Sequence, residues 1–141
     1  MGMYRFGKTS EERRQGVDDR LIRISDVAIS ISPIDFGIAQ DGGLRTAGRQ
    51  NQLHLAGKSR CDGYLHKSFH QFGYALDFYA FVNGRASWEV QHLTMVALAL
   101  MQAASSLEIP LRSGAFFKPF HSEPYNHGWD CGHVELMDVN P

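Results

Sequence analysis

The sequence predicts an α+β fold in which two or three helices pack on a small, mostly antiparallel sheet of three or four strands. Apolar residues recur at helical spacing in two long segments, and they alternate in a segment between them. Short apolar runs next to turn residues indicate the other strands. The 141 residues are 43% hydrophobic and 21% charged, which is typical of one folded domain.

The first half of the chain is predicted to hold two helices and one strand. The sequence Thr9-Ser10-Glu11-Glu12 is a capping box, and it opens a helix that ends at Ile31. Residues 34–39 are an apolar run typical of a strand. A second helix is expected over residues 46–56, where Gly57 would form a left-handed cap at its C-terminus.

A long loop precedes the central strand of the predicted sheet. Residues 58–72 have little periodicity and are rich in Ser, Gly, His and Lys, and loops of this length are often functional. Residues 75–82 alternate, as in a strand with one buried face. The side chains expected to face the core are Leu76, Phe78, Ala80 and Val82.

One long helix and two short strands complete the predicted fold. The turn sequence at 83–84 precedes a helix over residues 88–107. Strands are expected at 111–113 and 133–137, separated by an irregular aromatic stretch at 114–128. His121 and His127 belong to that stretch, where they could line a cleft or simply be exposed.

Composition argues against several classes of protein. A formal net charge of −1 gives no broad attraction for nucleic acid, so no nucleic-acid partner is expected. No apolar run approaches the roughly 18 to 20 residues that span a bilayer, and the N-terminus lacks a signal-peptide core. We therefore expect synthesis in the cytoplasm and no stable membrane insertion. Cys61 and Cys131 are too few for a disulfide scaffold.

Two residues on polar faces of the predicted strands, together with one from the loop before them, form a candidate metal site. If the alternating strand buries Leu76, Asp77 must lie on its opposite face. Gly73 permits a sharp bend that returns His70 towards Asp77, and His133 begins the last strand. Neutral imidazoles and carboxylates are good zinc ligands. Taken separately, each residue would more often be an ordinary surface or turn residue, and spacing alone cannot separate a catalytic from a structural site.

Further polar residues flank these ligands. Asp130 lies just before the last strand, where it could reach a water at the metal as a general base. Glu135 shares a strand face with His133, which makes it a candidate for orienting that imidazole. Arg45 follows a Gly-Gly turn and could bind a substrate carboxylate or stabilise an oxyanion, although a surface arginine at a helix start is an equal alternative.

The same residues match motifs of a known family. Residues 68–77 match in full the S-x-H-x-x-G-x-A-x-D signature of zinc peptidases that cleave peptidoglycan stem peptides. Residues 130–133 match the D-x-x-H element of that family, and residues 43–57 resemble its G-x-R-T helix-start segment. The chain thus resembles the D-alanyl-D-alanine carboxypeptidase and L-alanyl-D-glutamate endopeptidase family from about residue 6 to residue 137, and it is similar to single-domain phage endolysins acting on Gram-negative hosts.

The resemblance implies a role for each matching residue. His70, Asp77 and His133 would hold one Zn2+ per chain, and Asp130 would be the catalytic base. Arg45 would bind or polarise the substrate. Ser68 would support the site by hydrogen bonding.

The resemblance also implies a function, with two alternatives. We expect an L-alanyl-D-glutamate endopeptidase acting as a phage endolysin in host lysis: a monomer whose residues 1–141 form one catalytic domain without a separate wall-binding domain. It would be made in the host cytoplasm and reach peptidoglycan in the periplasm. The alternatives are a D-alanyl-D-alanine carboxypeptidase and a non-catalytic, zinc-stabilised wall-binding protein.

Overall fold

A computed structural model describes residues 4–116 and 130–140 of the chain. Within these ranges the helices are α1 (Lys8–Arg13), α2 (Asp19–Ile31), α3 (Ala47–Leu55) and α4 (Val90–Ser106). The strands are β1 (Asp35–Ile38), β2 (Ala75–Val82), β3 (Arg85–Ser87), β4 (Leu111–Ser113) and β5 (His133–Leu136). Short 3-10 turns span Phe69–Phe72 and Gly114–Phe116.

The strands form one antiparallel sheet, which confirms the predicted α+β class. Its order is β1-β2-β5-β4, and β3 also pairs with β2. The strand β3 was not predicted: it returns from the turn at Asn83 and Gly84, where φ is 53° and 77°. Positive φ at both central residues is typical of a type I′ hairpin turn, which forms an antiparallel pair at once.

The core lies between one face of the sheet and two helices. Helices α2 and α4 pack against each other, and α4 also contacts β2, β4 and β5. Leu76, Phe78 and Ala80 are buried as predicted, whereas Val82 is only partly buried near the end of β2. Because alternate residues of a strand face opposite sides, this burial leaves Asp77 on the other face of the sheet.

The first predicted helix is two helices. Helix α1 ends at Arg13, and α2 begins after a turn in which Gly16 has a φ of +80°. Gly7 and Asp18, rather than the predicted capping box, occupy the N-caps. The break was missed because Val17 and Leu21 are both buried, so the four-residue apolar spacing continues across it.

The predicted loop over residues 58–72 contains a short helical turn. Ser68 caps the turn Phe69–Phe72 in a capping box with Gln71, and Gly73 ends it with a φ of +73°. Gly57 has the predicted left-handed conformation, with a φ of +75°. Most of the predicted irregular stretch, including His121 and His127, lies outside the described residues. No helix in the described ranges is long and apolar enough to cross a membrane.

Candidate metal centre and active site

Pairing of β2 with β5 brings the predicted metal ligands together. Asp77 lies directly across from His133 in the register, and His70 lies in the turn that leads into β2. Oδ1 of Asp77 is 2.8 Å from Nδ1 of His133 and 3.2 Å from Nε2 of His70. One ligand atom from each residue lies within 4.8 Å of the other two, so the three side chains could hold one metal ion.

The turn at Gly42 and Gly43 orients two of these residues. The carbonyl of Gly43 accepts a hydrogen bond from Nδ1 of buried His70 at 3.0 Å, and the carbonyl of Gly42 accepts one from the backbone of Asp77 at 2.8 Å. Because a carbonyl can only accept, Nδ1 of His70 is protonated and Nε2 is available as a ligand.

His133 is oriented by a carboxylate on its own strand. Nε2 of His133 donates to Oε1 of Glu135 at 2.8 Å, and the other oxygen of Glu135 accepts from Arg112 on β4. This arrangement confirms that His133 and Glu135 share a strand face. It leaves Nδ1 of His133 directed at Asp77. In each histidine, the ring nitrogen that faces away from Asp77 therefore has a hydrogen-bond acceptor, as is usual for histidines at metal sites.

The electrostatics of the centre favour positive charge. Burial opposes ionisation of Asp77, but the neighbouring His70 and His133 outweigh it and hold the pKa of Asp77 far below its usual range. Burial also disfavours protonation of His133, yet hydrogen bonds to Asp77 and Glu135 raise its pKa to about 10. Two imidazole nitrogens and one carboxylate oxygen within 4.8 Å of one another are a donor set that fits a divalent metal ion.

Asp130 lies beside the three candidate ligands. Its Oδ2 is 3.9 Å from Nδ1 of His133, and its side chain is 39% exposed. Burial raises the pKa of Asp130 above its usual value, and the charge of Asp77 acts in the same direction. A partly exposed carboxyl with a raised pKa, next to a metal site, can exchange a proton with water.

The position of Asp130 depends on a close backbone contact with Gly114. The two residues are joined by a hydrogen bond from the Asp130 backbone amide to the Gly114 carbonyl at 3.3 Å. A Cβ atom on residue 114 would lie 1.9 Å from the carbonyl oxygen of Asp130. Only glycine therefore allows this approach, a requirement that no local sequence motif indicated.

Arg45 is part of the centre rather than a surface arginine. Its Nη2 donates to Oδ2 of Asp77 at 2.9 Å, its Nε donates to the carbonyl of Asp41, and its Nη1 donates to Gln50. Gln50 is fully buried and was not singled out from the sequence. The signal that could have identified Gln50 is a polar residue on the buried face of the short helix α3. Ser68 accepts a hydrogen bond from the backbone of His70, consistent with a supporting role.

Other candidates lie outside the cluster. His66 is exposed and lies near Asp62, and it does not belong to the cluster of His70, Asp77 and His133. Cys131 is buried in the hydrophobic core.

A groove of about 1100 Å³ opens onto the centre. The candidate ligands, Arg45, Asp130 and Glu135 line one part of it. Apolar side chains and a set of basic residues from the segment after α3 also line it. An extended peptide could therefore reach the centre from solvent.

Comparison with known proteins identifies the family of the chain. Residues 1–137 match the family model of phage L-alanyl-D-glutamate peptidases. The L-alanyl-D-glutamate peptidase of Escherichia phage T5 is 35% identical over 138 residues, which cover 95% of this chain and 98% of that protein. The crystal structure of the Serratia marcescens L-Ala D-Glu endopeptidase ChiX superposes with a TM-score of 0.79 at 28% identity, covering 96% and 92% of the two chains. The chain therefore belongs to the phage L-alanyl-D-glutamate peptidase family.

Proposed function

We propose that this protein is a phage endolysin that hydrolyses the L-alanyl-D-glutamate bond of peptidoglycan stem peptides. The observation that supports this most directly is the convergence of His70, Asp77 and His133 beside Asp130 in the lining of an open groove. Relatives named for this activity match nearly the full length of the chain. Synthesis in the host cytoplasm and action on the wall in the periplasm would follow from that role.

We also propose that the centre holds one Zn2+ through Nε2 of His70, Oδ1 of Asp77 and Nδ1 of His133. Two imidazoles and one carboxylate are a common donor set of catalytic zinc sites, which keep a further position open. When bound, zinc would supply Lewis-acid chemistry, polarising the scissile carbonyl and lowering the pKa of a water towards about 7. Glu135 and the Gly43 carbonyl would keep both imidazoles in the required tautomers.

The side chains around the ligands have distinct tasks in this proposal. Asp130 accepts the proton of the attacking water and then delivers it to the leaving amine of the glutamyl residue. Arg45, held by Asp77 and Gln50, places positive charge where the carbonyl oxygen becomes negative. Ser68 fixes the backbone of His70 and has no direct contact with the reaction.

The decisive experiment is mass spectrometry of fragments released from purified Gram-negative peptidoglycan. Zinc-loaded protein should produce fragments with new D-glutamyl amino termini, and these should disappear with a chelator and return when zinc is restored. Loss of terminal D-alanine alone would instead identify a carboxypeptidase. No release by folded, zinc-loaded protein would contradict both enzymatic functions and favour a wall-binding protein.

A further inference from the structure

One side of the groove is basic. Lys58, Arg60 and Lys67 line it together with the metal centre, and all three side chains are exposed. They come from the segment between α3 and the turn Phe69–Phe72, of which the proposed mechanism uses only Ser68. We call these three residues the basic wall.

The two lysines of the basic wall differ from the other cations of the groove. Arg45 and Arg112 donate to Asp77 and Glu135, so each already has a carboxylate partner inside the centre. Within residues 4–116 and 130–140, by contrast, neither Lys58 nor Lys67 forms a salt bridge. Positive charge is therefore available at the groove for an anionic ligand.

The backbone that carries the basic wall is held in place by hydrogen bonds, although the segment contains no helix or strand. The side-chain nitrogen Nε2 of Gln50 donates to Oγ of Ser59 at 2.8 Å and to the carbonyl of Cys61 at 2.9 Å. The side-chain nitrogen of Asn51 donates to the carbonyl of Asp62 at 2.9 Å. Oδ1 of Asp62 accepts from the backbone amides of the second, third and fourth residues after it.

Gln50 also joins the basic wall to the metal centre. The same side chain that holds the backbone at Ser59 and Cys61 accepts a hydrogen bond from Arg45 at 3.1 Å. The position of the segment is thus set relative to the reacting groups, which lowers the entropic cost of binding a charged substrate there.

We propose that the basic wall binds the free carboxylate of the glutamyl residue on the leaving side of the scissile bond. This inference rests on the proposed function. A glutamyl residue has two carboxyl groups, and only one of them continues the peptide chain, so the other is an anion. The alanyl side of the bond has only a methyl side chain. Charge at the groove can therefore select the glutamyl side and set the direction in which the peptide lies.

The test uses two synthetic stem peptides that differ only in this group, a free carboxylate or a carboxamide. Wild-type zinc-loaded protein should have the higher kcat/KM for the carboxylate peptide. The variant Lys58→Gln/Arg60→Gln/Lys67→Gln should lower the carboxylate-to-amide ratio of kcat/KM about tenfold, mostly through KM, since each exposed ion pair contributes up to about fivefold. Added salt should reduce the wild-type preference.

The matched control is Arg85→Gln, which removes an exposed cation from β3, outside the groove lining. It should keep the wild-type ratio. If the triple variant does not fold, Lys58→Gln and Lys67→Gln are tested singly, since neither breaks a salt bridge within the described ranges. Each should lower the ratio severalfold.

Three results would overturn the inference, and they separate its failure from failure of the proposed function. Equal cleavage of both peptides by wild-type protein, or a proportional loss on both in the variant, would reject the basic wall and leave the proposed function intact. Wild-type protein that cleaves neither peptide at the L-alanyl-D-glutamate bond would reject the proposed function, and the inference with it.

Discussion

Glu135 and Asp77 contact opposite nitrogens of one imidazole. Nε2 of His133 lies 2.8 Å from Oε1 of Glu135, and Nδ1 of the same ring lies 2.8 Å from Oδ1 of Asp77. Glu135 therefore determines which nitrogen of His133 is available to a metal. It also makes that nitrogen more basic, because a carboxylate stabilises positive charge on the ring.

Replacing Glu135 with glutamine tests this relationship. Glu135→Gln keeps a hydrogen-bond acceptor for Nε2 but removes its negative charge. We expect zinc affinity to fall about tenfold to hundredfold, as for other residues that orient metal ligands. Competition with a chromophoric chelator measures this change. The control is Glu12→Gln, at an exposed site on α1, which should retain the zinc affinity of wild type. If Glu135→Gln binds zinc as tightly as this control, Glu135 has no role in metal binding.

Substitution of Asp130 separates an enzyme from a metal-stabilised binding protein. Asp130→Asn removes the proposed base while leaving His70, Asp77 and His133 in place. We expect hydrolysis to fall by roughly 10²- to 10⁴-fold, the usual contribution of general acid–base catalysis. Zinc content and the unfolding midpoint should stay close to wild type. A variant with normal peptidoglycan hydrolysis would show that another group moves the proton.

Gly114 should be required for the position of Asp130. In Gly114→Ala the new Cβ would overlap the backbone of Asp130, so one of the two segments must shift and the placement of the Asp130 side chain must change. We expect a large loss of hydrolysis with zinc binding kept. Gly48→Ala is the matched control, because Gly48 lies on exposed α3 with nothing within 4 Å of the added atom. That change should stabilise the protein by about 0.4–1 kcal/mol in denaturant unfolding and leave activity unchanged.

The stability contribution of Asp18 should depend on pH. Asp18 caps α2 through the backbone of Arg20, and both of its oxygens accept from the Arg20 side chain at 2.9 Å. That side-chain hydrogen bonding outweighs burial and lowers the pKa of Asp18 below its ordinary value of 3.8. The stabilisation is therefore present at pH values above 3.8, the ordinary pKa of the carboxyl group, and it is lost as the pH falls through the lower pKa of the folded state.

Asp18→Asn isolates this charge, because asparagine is also a good N-cap. Wild-type protein should be more stable than the variant by about 0.2–1 kcal/mol at pH 7, as for exposed ion pairs. Urea unfolding at pH 7, 4 and 2.5 should show that the difference in free energy of unfolding between wild type and variant is smallest at pH 2.5. A difference that is constant with pH would mean that cap geometry, rather than charge, produces it.

Two of the candidate metal ligands, His70 and Asp77, were predictable because their pattern is local. Strand alternation places Asp77 opposite a buried face, and Gly73 allows His70 to turn back towards it. The break between α1 and α2 was not predictable in this way. Apolar spacing reports which residues are buried, and a turn that keeps Val17 and Leu21 buried leaves the spacing unchanged.

The sequence by itself determined the α+β class, the candidate ligands and the resemblance to peptidoglycan peptidases, since these depend on spacing within short segments. Only the tertiary structure decided which distant groups support them. The antiparallel pairing of β2 with β5 sets Asp77 against His133, 56 residues away. The close approach of Gly114 to Asp130 likewise joins two separate segments. The burial of Gln50 holds Arg45 and the basic wall in fixed relative positions, although these residues are close in the chain. Such contacts follow from close packing of the whole domain, which periodicity within one segment does not report.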